Sequence, residues 1–129
     1  MTAYACCTDI TKCVTPDIKH VGVGHLLLFD LVPGKCRMGG SALSTVYSQI
    51  GDEAADMDDP EALKRMFNLI QLLVHEQLIS AGHDRSDGGT VVTILEMAFS
   101  GNCGLNITLP SDNDTWGALF GEELGILHI

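Results

Sequence analysis

The chain has 129 residues, 46% hydrophobic and 19% charged, which suits one globular domain with a core and excludes a disordered chain. Seven Lys and Arg against seventeen Asp and Glu leave a net charge of −10, so the surface repels a nucleic-acid backbone rather than neutralising it. No apolar run approaches the roughly 20 residues of a membrane span, and "MTAYACC" lacks the basic and apolar regions of a signal peptide. The expectation is a cytoplasmic domain with neither nucleic-acid nor membrane partners.

"TAYACC" has strand composition, and "TDITKCVTPDIKHVGVG" follows as an irregular connection marked by Pro16 and two glycines. "HLLLFDLV" is continuously apolar around Asp30, the pattern of a strand covered on both faces. After "PGKCRMGG", the residues Leu43, Val46, Tyr47 and Ile50 fall at helical spacing, and Gly51 is a plausible stop. "GDEAADMDD" reads as an acidic loop. The clearest element is "PEALKRMFNLIQLLVHEQLIS", with Asp59 as cap, Pro60 at the first helical position and Glu61 placed to pair with Arg65. Its apolar face is Leu63, Met66, Phe67, Ile70, Leu73 and Val74.

A short strand, "ISAGH", leads into "DRSDGG" and then "TVVTILEMAFSG". The β-branched start of the latter resembles a strand, but its overall spacing favours a helix ending near Gly101. "GLNITL" reads as a strand and "SDNDTWGALFGEEL" as a capped helix with Trp116, Leu119 and Phe120 facing inward, stopped by Gly125. "ILHI" is a last strand. The succession of strands and helices predicts an α/β (α+β) layered domain with a mixed sheet.

Five cysteines without a CxxC pair match no zinc pattern and predict reduced, mostly buried thiols. Two glycine-rich junctions precede helices, "PGKCRMGGSAL" and "GHDRSDGGTVV". A helix N-terminus offers free amides and a positive dipole end, so Ser41 or Ser86 could meet a phosphate; equally, Ser and Asp are simply good caps. In the second junction Asp84 could ligate magnesium, which takes oxygen donors and keeps several waters, while Ser86 meets a phosphate oxygen. The competing reading has Asp87 capping the helix and Asp84 pairing with Arg85 in solvent.

"RMGGSALSTVYSQIGDEAADMDD", "LISAGHDRSDGGTVVTILEMAFSGNCGL" and "FGEELGI", with "TAYACCTDITKCVTPDIK" before them, resemble the large single-chain phosphoribosylformylglycinamidine synthase family along essentially the whole chain. That family often carries leucine where this chain has Met38 and Thr90. The resemblance implies the C-terminal subdomain of the second half of the synthetase core, a half similar to aminoimidazole ribonucleotide synthetase. Residues 1–129 would then be a single partial domain with no glutaminase domain. The reaction implied converts formylglycinamide ribonucleotide, glutamine and ATP to the amidine, glutamate, ADP and phosphate, as part of de novo purine synthesis. The resemblance also implies Asp84 as a Mg2+ ligand and Ser86 as an ATP/ADP contact, at an auxiliary nucleotide site. The partners it implies are the remaining synthetase domains, glutaminase included. Lacking the glutaminase nucleophile and the first half that the resemblance implies, the isolated chain is expected to be inactive, and strand material at both ends suggests that it self-associates.

Overall fold

The computed structural model describes residues 2, 4–109 and 114–128, with side chains described as far as Ile126. The strands are β1 (Leu27–Asp30), β2 (Gly82–Asp84) and β3 (Gly125–His128). They form an antiparallel sheet in the order β1-β3-β2, with Leu27 opposite His128 and Asp84 opposite Ile126. The expected mixed sheet is thus antiparallel in its strands, and among the described residues parallel pairing is confined to two isolated bridges, Thr15–Ala81 and Gly39–Ala54. The helices are α1 (Ala42–Val46), α2 (Pro60–His75), α3 (Gly89–Ser100) and α4 (Thr115–Phe120). Sheet and helices together make an α+β domain.

Two elements depart from the sequence pattern. β1 is an edge strand, and its apolar run is not covered on both faces: Leu27 and Leu28 are exposed. "GLNITL" forms no strand. Its Leu105, Ile107 and Leu109 instead line an apolar groove with Ile94 and Leu95 of α3. The start of the chain also departs from expectation: residues 4–7 are exposed and form no strand. Residue 3 of that segment, residues 111–113 before α4 and residue 129 of "ILHI" lie outside the described residues.

α2 starts as its sequence dictates. The Asp59 side chain accepts from the Glu61 and Ala62 amides, and Pro60 occupies the first turn, where no amide donor is needed. Arg65 turns to Asp59 at 3.4 Å rather than forming the expected pair with Glu61. The helix ends at His75, whose carbonyl accepts from Lys12 Nζ at 2.9 Å. Only Ile70 of its apolar face is buried, and Phe67 remains exposed. α1 stops well before Gly51. The chain folds back so that the Gly40 amide donates to the Ile50 carbonyl and the Gly39 amide to the Glu53 carbonyl. Gly39 permits this approach, since a Cβ there would sit 2.4 Å from the Glu53 oxygen.

The core is small. Ile18, Ala81 and Met97 form its centre, with Leu26, Ile94 and Cys103 packed around them. α3 lies against both β2 and α4, which brings the turn between β2 and α3 close to the segment leaving α4. None of the five cysteines is buried, so the expectation of mostly buried thiols does not hold.

Candidate functional site

The two glycine junctions meet on the segment "GEELG" that follows α4. The stop after this helix is Gly121, not Gly125, so Glu122 and Glu123 leave the helix and turn inward. Glu122 Oε1 accepts from the Ala42 amide and the Gly88 amide, each at 2.8 Å. One carboxylate oxygen therefore joins the first residue of α1 to the cap of α3, countering the positive dipole ends of both helices.

Glu123 is 1% exposed. Its Oε1 accepts from the Arg37 amide at 3.0 Å and from Nε at 2.8 Å, and its Oε2 from Nη2 at 2.7 Å. A buried carboxylate is tolerable only when paired in this way. Hydrogen bonds from the Arg37 guanidinium hold the Glu123 carboxyl below the usual range, helped by the Arg37 amide and charge, while burial pushes the other way. Arg37 also reaches Asp58 at 3.2 Å. Arg85 Nε donates to the Glu123 carbonyl, and its Nη2 lies 3.1 Å from Asp30 Oδ1.

The β2–α3 turn rides on this frame. Gly88 and Gly89 are both left-handed, with φ of 85° and 71°, a conformation that L side chains resist. Gly88 is the N-cap and no side chain caps the helix, so the reading of Asp87 as the cap does not hold. Nor does Asp84 pair with Arg85, whose guanidinium points back to Asp30 and Glu123. Asp84 ends β2 with its side chain 74% exposed, 3.3 Å from His83 Nδ1 through Oδ1. The Ser86 and Asp87 side chains are exposed and have no hydrogen-bond partner among the described residues. The structure thus brings Asp84, Ser86 and Asp87 to one solvent-facing turn at the N-terminus of α3. Ser41, the candidate at the first junction, is buried and caps α1, accepting from the Ser44 amide at 3.2 Å.

Hard oxygen donors of this kind suit a divalent cation that keeps its waters and takes phosphate oxygens. No group of three or more His, Cys, Asp or Glu among the described residues could enclose a metal, so this turn supplies at most part of a coordination shell. Sequence reading missed Arg37, Glu122 and Glu123, treating the acids as the tail of a helix. Two adjacent acids between glycines were the available signal.

Residues 27–128 match the family model described as "AIR synthase related protein, C-terminal domain". The chain is 54% identical over 98% of its length to "Probable phosphoribosylformylglycinamidine synthase, chloroplastic/mitochondrial" of Arabidopsis thaliana. It is 50% identical over the same share to phosphoribosylformylglycinamidine synthase of Homo sapiens. The matches cover 9% and 10% of those proteins, so the chain spans about a tenth of the curated relatives it matches. With the sheet, the α3 turn and the match over most of its length, the chain belongs to the family of AIR synthase related proteins, as their C-terminal domain.

Proposed function

We propose that this domain works within a phosphoribosylformylglycinamidine synthase, an ATP-dependent ligase of de novo purine biosynthesis. The whole enzyme takes formylglycinamide ribonucleotide, glutamine and ATP to formylglycinamidine ribonucleotide, glutamate, ADP and phosphate. Further domains of the same protein, a glutaminase among them, complete it. Identity at half or more of the positions along 98% of the chain with two proteins of that name supports this reading. The domain's own part is to hold a magnesium-bridged nucleotide at the β2–α3 turn, with Asp84 ligating Mg2+ and Ser86 meeting the nucleotide. The supporting observation is the turn itself: side-chain oxygens facing solvent, no Lys or Arg paired with them among the described residues, and glycines that let a phosphate approach the backbone. Cysteines that form no disulfide among the described residues suit the reducing cytoplasm, the compartment we assign. No helix among the described residues is long and apolar enough to cross a membrane.

Exposure of all three side chains favours a second reading, in which the nucleotide is held as a structural part of the synthetase core and is not consumed. Titrating the full-length protein with ADP and Mg2+ tests the site. Asp84→Asn and Ser86→Ala should each weaken magnesium-dependent binding by about tenfold, a loss of one charge-assisted contact. Unchanged binding in both would remove the turn from the reaction. Labelled nucleotide that stays bound through many turnovers would favour the structural role; its conversion to product would favour the catalytic one.

A further inference from the structure

We infer that His83 and Glu96 are positioning residues for Asp84, fixing the carboxylate that meets the divalent cation. This rests on the reading of Asp84 as a magnesium ligand. An aspartate three-quarters exposed at the end of a strand would ordinarily move among rotamers. Here the His83 ring, with an 18% exposed side chain, stands between two carboxylates: Nδ1 lies 3.3 Å from Asp84 Oδ1 and Nε2 lies 2.8 Å from Glu96 Oε2. Glu96 belongs to α3 and precedes Met97, which has no exposed surface. The Asp84 backbone is tied to the same helix, because the Thr93 hydroxyl lies 3.3 Å from its carbonyl. Side chain and main chain of Asp84 are thus both referenced to α3, whose first turn carries Gly88 and Gly89.

The charges are arranged to leave that carboxylate usable. Asp30, Asp58 and Glu123 each pair with an arginine, as expected of structural acids. Arg85 is the nearest cation in sequence to Asp84, yet it is drawn to Asp30 and to the carbonyls of Glu123 and Leu124. Among the described residues Asp84 has no Lys or Arg partner, and its Oδ2 has no partner at all. The histidine lies beside one oxygen and leaves the other open. Groups that hold a metal ligand from behind in this manner commonly matter to affinity by about 10- to 100-fold.

The test uses the full-length protein with Mn2+ as a paramagnetic probe and ADP as the nucleotide, bound Mn2+ being read by electron paramagnetic resonance. The Mn2+ lost on Asp84→Asn defines the site. His83→Gln and Glu96→Gln should each weaken Mn2+ binding there by about tenfold. Metal-free ADP binding and the melting temperature should stay at wild-type values. If Asp84→Asn removes the site while the His83 and Glu96 variants bind Mn2+ normally, the magnesium reading stands and the positioning role is overturned. If Asp84→Asn removes no Mn2+, the magnesium reading itself is overturned. If the His83 and Glu96 variants lose metal-free ADP binding and thermal stability in step with Mn2+, the pair merely fastens β2 to α3, which also overturns the inference.

Discussion

Thr90 lies in the first turn of α3 with its hydroxyl buried and without a partner among the described residues. An unpaired buried hydroxyl costs about 1–3 kcal/mol. Thr90→Val keeps the shape and removes that group, so it should stabilise the domain by about 1 kcal/mol, read as a higher urea midpoint at unchanged slope. Glu123 is the opposite case. Removing its carboxylate leaves the Arg37 guanidinium without its principal counter-charge, and Glu123→Ala should cost about 3 kcal/mol in the same experiment. Because the folded state holds this carboxyl below its ordinary range, its stabilisation is complete above the unfolded value and is lost as pH falls through the folded one. Wild-type stability should therefore fall below roughly pH 4, and Glu123→Gln should flatten that part of the profile. Asp84 and Ser86 stood out in the sequence because two glycines flank them. The Arg37–Glu123 pair did not, since its members lie 86 positions apart and no local pattern links them.

α2 was legible because its cap, its first-turn proline and its apolar period all lie within one stretch. "GLNITL" was not, because whether an alternating segment pairs as a strand or lays its apolar side chains against a helix is decided by tertiary contacts outside the segment. The α3 turn lies between these cases: its glycines announced a special backbone, but its anchor on Glu122 is visible only in the fold. Glu122→Gln keeps an oxygen acceptor for the Ala42 and Gly88 amides, whereas Glu122→Ala leaves both without it. The alanine variant should lower the melting temperature clearly more than the glutamine variant. Gly89→Ala should be worse still. A Cβ there would lie 2.6 Å from the Phe120 carbonyl carbon and 2.8 Å from the Gly121 oxygen, which are backbone atoms with no rotamer to change. Adding the left-handed φ, the cost should be at least about 2 kcal/mol, with faster hydrogen exchange in the first turn of α3.

At the scale of the molecule, the α+β class followed from the mixture of strand-like and helical patterns, while the strand order did not, because no local feature marks "ILHI" as central. Leu27 and Leu28 on the β1 edge, Val23 beside them, Phe67 on α2 and Phe99 on α3 are all exposed. An edge strand with a free side and several bare apolar faces favours association with another chain. The net charge of −10 opposes this, but screening over about 8 Å at physiological salt leaves close contacts little affected. Light scattering at rising concentration should show dimers or larger species, and Leu28→Lys should shift them toward monomer. A strictly monomeric mass at millimolar concentration would show these surfaces to be inert. Purified alone, this chain should show no synthetase turnover with ammonia, because a reaction centre needs its groups held together.

The central position of β3 also has a consequence in time. Residues 27–30 and 82–84 leave the ribosome long before residues 125–128, the strand that joins them. Contacts this distant in sequence form late and slowly. Until β3 emerges, β1 and β2 have no common neighbour, and Glu122 and Glu123 are not yet present to engage Arg37, Ala42 and Gly88. The nascent domain should therefore stay protease-sensitive and dependent on chaperones until β3 is made.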